Sequence, residues 1–249
     1  MTDIFHFNHD EYPDTGDLQE RFGLRGRNMV QLAALKTPIA PGFLIESKDF
    51  ISGKLKENLT KKDLESAVSK IEEKTGKSFN STEYPLLFKA VISPSIQIGT
   101  IHSAHTIGIN DKVAEGFSKY CGEDFAYQEY KYFIEQISTR FLGKKVADFE
   151  KIRKANPKAG PKAICELYRK EIVPDFPQDS YEQLMLVLTQ MAEKYLEDPM
   201  NEDIEAGLLV QMMVYGNYGK NSFSGNFYSR DIVTGNAKLT GNFGRNMFD

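Results

Sequence analysis

The sequence predicts an α+β fold in which two strand-bearing segments, residues 1–109 and 201–249, bracket a helical middle at 110–200. Three observations predict it. From Asn110 to about Asp198, apolar residues recur at helical three- and four-residue spacing. Before and after that stretch, short apolar runs are separated by Gly, Pro and Asn clusters. The chain is also long enough, at 249 residues with 41% hydrophobic and 27% charged composition, to bury a sizeable core rather than stay disordered.

Taken in order, "DIFHFNH" alternates and reads as a strand, and "DEYPDTGD" is a turn cluster. "GLRGRNMVQLAAL" (23–35) places two glycines and two arginines before an amphipathic run, with Met29, Leu32, Ala33 and Leu35 on or near one face. A loop at Gly23–Asn28 leading into a helix can be a simple lead-in. It can also be a phosphate cradle, because free N–H groups and the dipole at a helix N-terminus favour anions. Pro38 and Pro41 stop the helix, "GFLIES" follows as a strand, and Ser47 is placed to cap a short helix in "SKDFISGKL". Residues 61–75 form an amphipathic helix closed by Gly76, and "YPLLFKAVISP" is a β-rich run ended by Pro94.

In the middle, Asn110 or Asp111 caps a helix. Phe125, Tyr130, Phe133, Ile134, Ile137 and Phe141 then make one stripe, and Leu184, Leu188, Met191 and Tyr195 another. Both read as core. After Gly207, "LLVQMMVYGN", "SGNFYSRD" and "AKLTGNF" read as strands between Gly/Asn turns. The first of these is a core strand by default. Its backbone could also offer hydrogen bonds to a flat ring while the methionines pack on it.

Several function classes lose support. The net charge of −4 gives no global attraction to nucleic acid or to an anionic membrane. The acidic N-terminus is not a signal peptide, and no apolar run is long enough to span a bilayer. Cys121 and Cys165 lack metal spacing and fit buried thiols in a reduced cytoplasmic compartment. His102 and His105 would share a face on a helix, but no carboxylate or thiol nearby completes a metal site. Residues 144–170 carry nine Lys/Arg against three Asp/Glu, a charge imbalance suited to an acidic protein partner or to a solvated face. Their only aromatics, Phe149 and Tyr168, are too few for a nucleic-acid stacking platform.

Read together, these landmarks resemble the N-terminal nucleotide-binding domain of the pyruvate phosphate dikinase family, related to phosphoenolpyruvate synthase. "GLRGRNMVQLAAL" resembles its Gly-Gly-Lys-Gly-x-Asn-Leu loop and helix, and "PIAPGFLIES" its Pro-x-Gly-Phe strand. "EEKTGKSF", "YPLL", "IGIND", "DFAYQEYKYFI", "FPQDSYEQL", "VQMMVYGN" and "SGNFYSRDIVTGN" follow in the family's order, over roughly residues 5–249. The resemblance implies ATP-grasp-like lobes with ATP or ADP held between them. The adenine would lie against Gln211, Met212, Met213 and Val214, with Arg25, Gly26 and Arg230 toward the phosphates.

The resemblance also implies losses. Arg25 stands where the family has a phosphate-contacting lysine, and a planar fork does not place charge as an ammonium does. "KAVISPS" stands where the family has Ser-Val-Arg-Ser-Gly-Ala-Arg, so Val91 and Ser95 replace two arginines. Lys89, two positions from Val91, would share its strand face. Phe223 replaces a glycine of a Gly-rich loop, and Asn242 a glutamate. The family's metal-binding acidic residues, phosphohistidine domain and pyruvate-binding barrel lie beyond the matched stretch. The expectation is therefore a nucleotide-binding domain with no catalytic residues, no ligands for Mg²⁺ and no phosphotransfer on its own. Two alternatives stay open: one part of an active dikinase-type kinase, or a protein-interaction module reusing the scaffold.

Overall fold

A computed structural model describes residues 2–98 and 103–246. The first elements are strand β1 (Ile4–Phe7), helix α1 (Leu18–Ala34), strand β2 (Gly42–Ile45) and the short helices α2 (Ser47–Phe50) and α3 (Leu55–Asn58). Helix α4 (Lys61–Thr75) follows, then strands β3 (Phe88–Pro94) and β4 (Ser103–Ile107). Five helices come next: α5 (Asp111–Cys121), α6 (Glu123–Phe141), α7 (Val146–Ala155), α8 (Pro161–Glu171) and α9 (Ser180–Glu197). Strands β5 (Ala206–Met212), β6 (Phe223–Tyr228) and β7 (Thr240–Arg245) end the described chain. The fold is α+β with a helical middle.

Local chemistry accounts for the clearest boundaries. Thr60 and Asp63 form a reciprocal capping box at the start of α4, and Gly76 ends that helix at φ 67°. The Asn110 side chain accepts the Val113 N–H at the start of α5. Asp179 accepts the Tyr181 and Glu182 N–H groups at the start of α9. Ser47 does not cap α2. It is the first helical residue, after Glu46, and its hydroxyl donates to Glu205 and accepts the Ala206 N–H.

Strands β1 to β5 form one antiparallel sheet in the order β1-β2-β5-β3-β4. β5 is therefore central. Leu209 stands between Leu44 and Val91, and Ala206 through Val210 are all buried. Last in sequence of these five strands, β5 joins strands from the N-terminal segment. The chain divides into two compact units, Met1–Met213 and Val214–Asp249. α1 covers one face of the sheet through Leu18, Phe22 and Val30, packed with Phe7, Leu44 and Leu209. The buried line of α1 is thus Phe22, Gly26, Val30 and Ala33. Met29 and Leu32 are half-buried and Leu35 is exposed.

Within the helical middle, Tyr130, Phe133, Ile134 and Ile137 are buried, as are Leu184, Leu188, Met191 and Tyr195. Phe125 and Phe141 at the ends of their stripe are half-buried. Buried Gln183 of α9 pins the turn after β4, accepting the Gly108 N–H and donating to the Ile109 carbonyl. β4 itself was not legible as a strand. It is an edge strand whose outer side is covered by α6, where Gln136 accepts the His105 N–H and Arg140 donates to the Ser103 carbonyl. The second unit is an antiparallel hairpin of β6 and β7, with Gly225 opposite Phe243 and Phe227 opposite Gly241.

Gly23–Asn28 is not a loop. It lies inside α1, which breaks at Gly23 (φ 68°, ψ −177°) and restarts. A side chain at Gly23 would overlap the Ser93 backbone, and one at Gly207 would stand 2.8 Å from the Phe22 Cα. Glycine thus lets α1 touch β3 and β5 directly. At the restart, the Arg25 and Gly26 N–H groups donate to the buried Ser93 hydroxyl at 3.0 and 3.1 Å. Ser93 acts as the N-cap of the second half of α1 from 68 residues away. Urea unfolding should show Gly23→Ala destabilised by about 2–4 kcal/mol and Ser93→Ala by about 1–2 kcal/mol. Gly53→Ala is the control, because Gly53 has φ 73° but open space around it, and it should lose only about 1 kcal/mol. Equal losses at Gly23 and Gly53 would contradict the contact.

Candidate functional site

The residues predicted to hold a nucleotide fall into three places. Gln211 and Met212 end β5, and Met213 closes the first unit. Arg25 and Gly26 sit at the restart of α1, and Val214 and Arg230 belong to the second unit.

At the end of β5 the backbone donors are engaged. Met212 N–H donates to the Pro41 carbonyl and Met213 N–H to the Leu87 carbonyl, both at 2.9 Å. The Gln211 side chain donates to the Ala40 carbonyl at 2.9 Å and approaches the Met29 sulfur at 3.7 Å. Met29 lies four residues after Arg25, one turn along the same helix face. The end of β5 thus touches Met29, one helical turn from the exposed Arg25. The Gln211, Met212 and Met213 side chains are half-buried, and Val214 is 73% exposed.

The phosphate end is different. The Arg25 and Gly26 N–H groups face Ser93 in the interior, so the restart of α1 offers them to no anion. Val91, at the position of the expected arginine, is core, and Lys89 pairs in register with Gln211. Arg230 is exposed and donates to the Gly235 carbonyl at 3.3 Å, in a turn whose Asp231 accepts the Val233 and Thr234 N–H groups. Phe223 is 67% exposed and packs edge-on against Phe243, while Asn242 stands opposite Asn226.

A cleft of ≈ 1220 Å³ opens elsewhere beside α1, lined by Arg21, Arg27, Glu46, Lys48, Ser95 and Glu205 among others. Its three basic residues are hydrogen-bonded within the protein. Arg21 and Lys48 both bind buried Glu46, at 2.6 and 2.9 Å, and Arg27 donates to Gln19 at 2.7 Å. None of the predicted nucleotide residues lines it.

The metal and thiol readings are decided by burial and local structure. His105 lies in strand β4, not on a helix, and His102 lies outside the described residues. Among the described residues, no group of three or more His, Cys, Asp or Glu side chains could hold a metal ion. Cys165 is buried and Cys121 is half-buried rather than fully buried. Burial pushes both thiols up to about 12, leaving neither a nucleophile at neutral pH. No described helix is long and apolar enough to cross a membrane. In the basic stretch, Arg153 pairs with Glu135 and Tyr168, Lys154 with Glu150, and Arg169 with the Val173 and Phe176 carbonyls.

Sequence reasoning missed one polar feature beside the end of β5. Glu129 of α6 is 3% exposed and accepts the Thr106 hydroxyl at 2.9 Å. The Thr106 N–H donates to the Met213 sulfur. A lone Glu in a helical stripe carries no signal for a contact 23 residues back.

No family model matches the chain. Curated relatives are pyruvate, phosphate dikinases. The one from Treponema pallidum (strain Nichols) is 30% identical over 247 residues, covering 91% of this chain and 27% of that protein. The one from Rickettsia conorii is 26% identical over 272 residues, covering 96% of this chain and 31% of that protein. The one from Clostridium symbiosum is 27% identical over 259 residues, covering 91% and 30%. The chain thus spans about a third or less of the length of these relatives.

Burial raises the Glu129 carboxyl above its ordinary value of 4.5, the Thr106 hydrogen bond opposing in part. As pH rises from about 4.5 through the raised folded value, the unfolded chain releases this proton first, and stability falls. Glu129→Gln keeps the Thr106 acceptor and removes the charge. Its stability relative to wild type should rise between pH 4 and pH 8 in urea unfolding. A difference independent of pH would contradict the burial.

Proposed function

We propose that this chain, a pyruvate, phosphate dikinase-related domain, binds adenine nucleotide but does not transfer phosphate by itself. The observation that carries the reading is the junction at Met29, where the end of β5 and the Arg25 face of α1 meet. The base packs on Gln211, Met212, Met213 and Val214. With the Met212 and Met213 N–H groups engaged in the fold, side-chain packing supplies most of the contact. Arg25 supplies positive charge toward the phosphates, and Arg230 is the second candidate for that role. Gly26 contributes close packing beneath Arg25 rather than a donor.

Phosphoryl transfer depends on charge neutralisation by Mg²⁺ and fixed cations. Here Val91, at the position of an expected phosphate-binding arginine, is core. Loss of one such stabiliser typically costs about 10²–10³ in rate. A second reading makes the domain one part of a larger dikinase-type phosphotransferase. The much greater length of the relatives favours it, and a partner protein docked on the exposed lysines of α7 and α8 is one form it can take.

Calorimetric titration with adenosine, ADP and ATP, with and without Mg²⁺, tests the first reading. ADP should bind with little dependence on Mg²⁺. Arg25→Ala should weaken ADP by about two- to fivefold and leave adenosine unchanged, as expected of an exposed charge contact. Tight, Mg²⁺-dependent ATP binding accompanied by hydrolysis would overturn the reading, and so would the absence of any nucleotide binding.

A further inference from the structure

β4 carries a bulge beside the end of β5. Ile107 pairs with Phe88 and Ala104 with Ala90, so His105 and Thr106 together oppose the single residue Lys89. Thr106 adopts φ 59°, a left-handed conformation that a β-branched side chain rarely takes. Bulges and strained residues of this kind gather at functional sites, where surrounding contacts hold them in place. The contacts here are specific. The Thr106 hydroxyl donates to Glu129 Oε2, the Thr106 N–H donates to Met213 Sδ, and the Thr106 carbonyl accepts the Ile109 N–H. The other α6 side chains that meet β4, Gln136 and Arg140, bond to backbone and stand in for a missing neighbour strand. Glu129 differs. It is buried, and it grips the side chain of the strained residue itself.

We propose that Glu129 is a positioning residue: by holding Thr106 in the bulge, it fixes the Met213 thioether at the end of the first unit. The nucleotide consequence rests on the base wall proposed above. With Met213 held, the wall is preformed. Without Glu129, Thr106 is free to leave its strained conformation, and Met213 loses its donor.

Methyl NMR of the full chain labelled with [ε-¹³C]methionine reads the coupling directly, with Met213 assigned through Met213→Leu. In Glu129→Ala the Met213 resonance should move or broaden while Met191, in the core of α9, stays at its wild-type position. Glu129→Gln should restore Met213, because its amide oxygen still accepts the Thr106 hydroxyl. Thr106→Ala should repeat the Glu129→Ala effect, and it serves as the test if Glu129→Ala does not fold. ADP affinity should fall about tenfold in Glu129→Ala and stay near wild type in Glu129→Gln, the size expected for one buried hydrogen bond. A Met213 resonance unmoved in Glu129→Ala, or one that moves only together with Met191, overturns the proposal. If Met213 responds but wild type binds no ADP, the positioning role stands and the base wall falls. If ADP binds wild type and Glu129→Ala equally, the positioning role has no bearing on the nucleotide and the proposal fails.

Discussion

Helix α1 rests on the sheet backbone to backbone, and much of the first unit follows from that contact. Glycine at 23 and 207 removes the side chains that would hold α1 away from β3 and β5. α1 breaks at Gly23, and the break frees interior N–H groups that a continuous helix would pair with its own carbonyls. Ser93 resolves the break by accepting two N–H groups in the interior. The same contact buries Phe22 and Val30 on Leu44 and Leu209 and makes β5 a two-sided core strand.

The contact also settles where charge is available. A helix restart with free N–H groups attracts anions. Here those groups face a fully buried hydroxyl, so charge near the end of β5 has to come from side chains. Arg25 is exposed. Arg21, Lys48 and Arg27 are tied into internal pairs around Glu46 and Gln19. Polar strain is concentrated instead at the β4 bulge, where Thr106 meets both Glu129 and Met213.

Elements written in local chemistry were legible. The limits of α4 follow from Thr60, Asp63 and Gly76, and that of α5 from Asn110, all within one turn of the boundary they set. The stripes around Phe133 and Leu188 announced their buried faces by spacing alone. What stayed hidden depends on distant partners. "SAHTI" (103–107) has a strand's geometry only because β3 and α6 flank it, and its small and polar residues signal neither helix nor strand. The Gly-rich run at 23–28 looked like a solvent loop because the residue that caps it, Ser93, lies on another strand. β5 belongs to the first unit, although nearly a hundred residues of helix separate it from β4. For the candidate site, the sequence pointed to Arg25 and the end of β5, which remain a proposal. It gave no sign that the Gly26, Met212 and Met213 N–H groups are engaged, or that Glu129 stands behind Met213.

Backbone amide exchange at Arg25 and Gly26, followed by NMR with and without saturating ADP, tests the central contact most directly. Buried hydrogen bonds to Ser93 predict that both amides are strongly protected and that their resonances do not shift when ADP is added. Exchange at unprotected rates, or large shifts of both amides on ADP binding, would show that the restart of α1 is an open anion cradle and would contradict the account.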